Sequence, residues 1–100
     1  MTSFGRKSIT HVGALHGEGT LLVEDGRQLG HVTYEIDGYL DHGIKSANGQ
    51  IEAEARVLNE AFRAKAATIV LDSGRCIQVV VADPQGGTTA ELNVRSGFPR

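Results

Sequence analysis

Few residues in this chain could do chemistry. The stretch HVGALHGEG holds His11 and His16, and His31 follows. Imidazole is a good zinc ligand, but zinc asks for three or four ligands converging at about 2.0–2.3 Å. The same stretch also reads as strand and turn. If the chain turns on Gly17-Glu18, His16 falls opposite Gly19 and His31 opposite Thr20, on opposite faces of the sheet. His11 then shares the face of His31 but lies about 13 Å along it. If the loop takes Gly17-Glu18-Gly19, His16, Thr20 and His31 line one face, with the two histidines about 9.5 Å apart. Neither register supplies a third ligand, and Cys76 and His42 could join only through tertiary contacts. The histidines are therefore read as a polar strand face, and no metal ligand is assigned.

Other constellations are weaker. DGYLDHG gathers Asp37, Asp41 and His42, with Ser46 soon after. A Ser–His–Asp set depends on mutual geometry, and no G-x-S-x-G elbow accompanies it. A polar turn ending a strand explains it. Cys76 follows Arg75, a cation that could lower its pKa. A lone cysteine in an apolar strand is more simply buried filler. QGGTT at 85–89 has no helix behind it to make a phosphate cradle. Glu52 and Glu54, followed by Arg56, read as a solvated face. No catalytic, cofactor-binding or metal residue is assigned, and no cofactor is expected.

The elements around these residues are mostly strands. HVTYEI sends Val32, Tyr34 and Ile36 to one face and His31, Thr33 and Glu35 to the other, which is period two. ATIVLD and CIQVVVAD are rich in β-branched residues. SITHVGALH, TLLVE and TAELNV complete the strand-like set. EDGR (24–27) and DSGR (72–75) each pair a small polar residue with Gly, the pattern of a type I′ hairpin turn. In that turn Glu24 faces Arg27 and Asp72 faces Arg75 as cross-strand ion pairs. DPQGG (83–87) offers Pro for a turn's second position and Gly for its close.

The two hairpins align without gaps. TLLVEDGRQLGHV from Thr20 matches TIVLDSGRCIQVV from Thr68 at Thr, Gly, Arg and the final Val. Either a hairpin was duplicated or two hairpins obey one turn chemistry. The segment GQIEAEARVLNEAFRAKAAT, after a turn-like SANG, carries both periods. Ile51, Ala55, Leu58 and Phe62 form a helix face, while Ile51, Ala53, Ala55 and Val57 alternate as a strand. The division adopted is a strand over 50–55 and a short helix over 56–65, packed through Val57, Leu58 and Phe62. One helix over 51–66 is the alternative.

Composition excludes several classes. The chain has 100 residues, net charge -2, five per cent aromatic residues and a single Cys. That size makes one core. The sole basic cluster, Arg6-Lys7, cannot neutralise a row of phosphates, so no nucleic-acid partner is expected. A lone cysteine cannot form an internal disulfide, which suits a reducing compartment. No signal peptide and no membrane-span window is found. These features place the protein in the cytoplasm, with no membrane partner.

The order of these segments, with its recurring strand–turn–strand DGR rhythm, resembles small bacterial β-rich single-domain proteins. The resemblance implies a compact β-rich fold and brings no activity, substrate or catalytic residue with it. The expectation is an all-β domain over 8–96 behind a flexible arm at 1–7: antiparallel hairpins curled into a small barrel or sandwich, with one short helix near 56–65. The expected function is a non-catalytic binding or interaction module with a protein or small-molecule partner. It is expected to form a homodimer through an edge strand or the helix face, because the Val79-Val80-Val81 run asks for cover on both sides. The competing expectations are a metal-dependent protein or enzyme using His11, His16 or His31, and a carrier holding a small ligand in a barrel interior.

Overall fold

The computed structural model describes residues 9–23, 25–41 and 44–96. The arm at 1–7, with Arg6-Lys7, lies outside them, as do Glu24 and His42. Six strands and one helix follow in the order β1 (Ile9–Val23), β2 (Gln28–Asp41), β3 (Ile44–Glu52), α1 (Ala55–Ala64), β4 (Ala67–Leu71), β5 (Cys76–Val81) and β6 (Thr89–Ser96). The strands close into an antiparallel barrel in the order β1-β2-β3-β6-β5-β4. The expected small barrel with one short helix is what the chain forms.

Alternation decides which side chains face inward. β4 and β5 send Ile69, Leu71, Ile77, Val79 and Val81 inward, and Cys76 and Gln78 outward. Leu21, Val32, Ile36, Ile51 and Leu92 fill the same interior from the other strands, each no more than 1% exposed. Each such side chain contributes about 1.5–3 kcal/mol by leaving water. A six-stranded barrel is narrow enough for its own side chains to fill it. Cys76 was expected as buried filler. It is exposed, because alternation assigns the inward place to its neighbour Ile77.

The middle segment divides into strand and helix as expected, with the boundary a few residues off; a continuous helix over 51–66 does not form. β3 runs through Ser46–Gly49, so SANG is strand and not turn. α1 covers one mouth of the barrel with Val57, Leu58 and Ala61. Val57 rests on Gly30 of β2, where a Cβ would come within 2.9 Å of it. Phe62, expected in that packing, is 38% exposed, because the buried stripe runs through 57, 58 and 61. Arg27 ties the helix to the first hairpin, donating from Nη1 to Glu60 Oε2 at 3.0 Å. That hydrogen bond, with the Glu60 charge, pushes the Arg27 guanidinium pKa up.

The hairpin turns differ from expectation. In both, the N–H of the glycine donates to the carbonyl three residues back, Gly26 to Val23 at 2.9 Å and Gly74 to Leu71 at 2.8 Å. Val23 is then opposite Arg27, and Leu71 opposite Arg75, across loops at 24–26 and 72–74. Only the glycines take positive φ, 85° at Gly26 and 91° at Gly74; Asp25 and Ser73 do not. Over Leu71–Gly74 this is a type I turn closed by a glycine bulge, and neither hairpin has a type I′ turn, which requires positive φ at both central residues. The cross-strand pair of Asp72 with Arg75 is thereby lost, and Arg27 faces Val23 instead of Glu24. The type I′ pattern occurs instead in DPQGG. Gln85 and Gly86 have φ of 51° and 78°, and Gly87 N–H donates to the Pro84 carbonyl.

The alignment of the two hairpins has a spatial counterpart. β1 and β4 pair with Leu21 directly opposite Ile69, its equivalent in the other hairpin. Thr20 then faces Val70 and Leu22 faces Thr68, so equivalent residues exchange across the pair. A local two-fold axis between Leu21 and Ile69 relates the two paired strands. The likeness ends at β2, where the register shifts between Leu21 and Leu22.

Candidate functional site

β1 does not turn at HGEG. It continues as one strand from Ile9 to Val23 and pairs with β2 almost throughout. Gly17, read from sequence as a turn residue, lies beside the Tyr34 ring, whose hydroxyl is 3.1 Å from where a Cβ would stand. The glycine makes room for the ring. Burial, and secondarily the Asp72 charge, raise the Tyr34 phenol above its usual 10.0.

With no turn there, all three described histidines fall on the outer face of the β1–β2 ladder and are exposed. His31 lies opposite Thr20, and its Nε2 pairs with Glu18 Oε1 at 2.7 Å. His11 Nε2 pairs with Asp37 Oδ1 at 2.9 Å, and its ring meets Tyr39 edge-on at 5.5 Å. His16 faces Glu35 across the ladder. They are spread along the strands, each toward a different carboxylate. Among the described residues no three His, Cys, Asp or Glu side chains converge as metal ligands.

The Asp37, Asp41, His42 and Ser46 set is not assembled among the described residues. Asp37 pairs with Ala14 on one side and Asn48 on the other, while Ser46 lies opposite Tyr39. Asp41 is the last residue of β2. Asp37 instead lines a shallow open groove of about 570 Å³ on the outer face of β2, β3 and β6, with Glu35, Asn48, Gln50, Glu91 and Asn93. Gly49 lies beneath it, so close to β2 that a Cβ would overlap the Glu35 carbonyl oxygen. The groove offers carboxylates and carboxamides to solvent.

The feature that sequence reasoning missed is an open edge. β4 pairs with β1 only over Gly19–Val23, because β4 itself ends at Leu71. Likewise β6 pairs with β3 only over Asn48–Glu52. β1, β2 and β3 therefore continue past the barrel as a three-stranded arm, away from the mouth that α1 covers. Along Ile9–Glu18 the outer edge of β1 has no strand partner among the described residues. Its sequence, ITHVGALHGE, has no Lys, Arg or Pro, the residues that commonly blunt an edge. A bulge between His11 and Gly13 is the sole irregularity, and Val12 there is 48% exposed. Those absences are legible in the sequence; the missing neighbour is not.

Fold and surface together define a closed six-stranded antiparallel barrel with a helix over one mouth and a strand arm beyond the other. No family model, no curated protein and no solved structure matches the chain. No helix among the described residues is long and apolar enough to cross a membrane.

Proposed function

We propose that this protein is a non-catalytic interaction module whose contact element is the edge of β1 that no described strand covers, extended by one added strand from its partner. The observation that carries the reading is the length mismatch between β1 and β4, 15 residues against 5, which leaves backbone donors and acceptors of Gly13–Glu18 facing outward in regular strand geometry. Added strands bind through such groups, and side chains on the new strand set specificity. The filled interior supports a structural role for the barrel. The exposed, dispersed histidines support a surface role for the outer face.

The test is a displayed library of short peptides, panned against chain immobilised sparsely so that copies do not meet. Successive N–H groups of a strand point to opposite sides, so of Ala14→Pro and Leu15→Pro one blocks the open edge and the other breaks the β1–β2 ladder. The edge-blocking variant is the one that keeps the native melting temperature. Recovered peptides should bind the parent chain and lose at least tenfold in affinity for that variant. Recovery of no peptide, or of peptides insensitive to both substitutions, overturns the reading.

A further inference from the structure

We infer that the partner strand is β1 of a second copy of this chain, added antiparallel with Leu15 opposite Leu15 of the copy. This rests on the reading of β1 as a contact edge. The arm has two outer edges, and they are built differently. The β3 edge is free of β6 only over Ile44–Ala47 and carries exposed Lys45, a charge that disfavours strand addition. The β1 edge is longer and carries no Lys or Arg. Head-to-tail joining of β1 to β3 would therefore match a long open edge with a short guarded one. Pairing β1 with itself matches equal lengths and closes after two copies.

The faces fix the register. A two-fold axis perpendicular to the sheet keeps every side chain on its own face, so opposed residues must share a face. Gly13, Leu15 and Gly17 lie on the inner face, and Ala14, His16 and Glu18 on the outer. Centring on Leu15 sets Gly13 opposite the copy's Gly17 and Ala14 opposite the copy's His16. Leu15, half-buried against the core, then meets its equivalent between glycines. No like charges face one another. Centring on His16 would oppose two imidazoles. Centring on Gly17 would carry Leu15 across from Gly19, where β4 already occupies the edge. The bulge at Val12 limits regular pairing to Gly13–Glu18, which the Leu15 register fits.

The experiment uses the full chain with Cys76→Ser, which removes the one native thiol, at tens of micromolar. Sedimentation should give a species of twice 10.6 kDa. In that background Leu15→Cys should oxidise to a disulfide-linked dimer, since directly opposed residues lie about 4.5–5.5 Å apart at Cα, within disulfide range. Ala14→Cys, on an exposed position, should not cross-link, since its copy lies two residues along the partner strand, at about 8 Å. A monomer in the Cys76→Ser parent overturns the inference. So does a dimer that cross-links at residue 14 as readily as at 15. A monomer that still binds peptides at the β1 edge removes the second copy and leaves the contact edge in place.

Discussion

The arm is made from three of the barrel's six strands, and the two regions differ in what stands beside those strands. Over Gly19–Val23, β1 has β2 on one side and β4 on the other; over Ile9–Glu18 it has β2 alone among the described residues. Within the barrel its inward residues Leu21 and Val23 are buried. In the arm the inward places go to Gly13, Leu15 and Gly17, of which Leu15 is half-buried. Closure, and not strand formation, separates the two regions. β4 reverses at Asp72–Gly74 after five residues, and what β1 extends beyond that point has no second strand neighbour among the described residues. The barrel holds most of the buried core, and the arm holds the backbone edge that no described strand pairs.

That division is tested first by truncating an inward side chain in each region. Ile69→Ala empties a fully buried place and should cost about 2–5 kcal/mol in urea unfolding. Leu15→Ala, measured on chain dilute enough to keep copies apart, should cost less than about 1.5 kcal/mol, since Leu15 is only partly withdrawn from water. Equal costs would mean the arm is as much a part of the cooperative core as the barrel.

A second contrast uses two strand glycines. A Cβ at Gly49 would overlap the β2 backbone, while one at Gly13 would meet nothing within 4 Å. Gly49→Ala should destabilise by about 1–3 kcal/mol, because backbone must shift to admit it. Gly13→Ala should fall within about 0.5 kcal/mol of the parent. A neutral Gly49→Ala would show that β2 and β3 can separate at the junction without loss.

The smallest effect concerns Tyr34, whose ring lies where barrel becomes arm. Burial holds its phenol protonated, so ionisation favours the unfolded chain. Its contribution is intact below the ordinary value of about 10 and is lost as pH rises through the higher folded-state value. Melting temperatures should therefore fall more steeply above pH 10 in the parent than in Tyr34→Phe. Identical alkaline profiles would place the Tyr34 hydroxyl in free contact with water.

The sequence by itself determined what is local. Period-two alternation assigned the inward and outward residues of β2, β-branched residues marked β4 and β5 as strands without fixing the face of Cys76, and Gly26 and Gly74 marked the two hairpin turns. The break between β3 and α1 was also legible, because the two periods change over within a few residues. The turn class was not, since Asp-Gly and Ser-Gly suit either a tight loop or a bulged one, and the choice follows from which residues the flanking strands oppose. Gly17 was misread for a related reason. A glycine in a strand-like run fits either a turn or a place that makes room for a neighbour, and here the neighbour is Tyr34 of another strand. The open edge is the extreme case. It exists because β4 is shorter than β1, and the place where β4 falls beside β1 is set by pairing between segments far apart in the chain. Such pairing is a property of the closed barrel, so only the tertiary structure could show which backbone the barrel leaves unpaired.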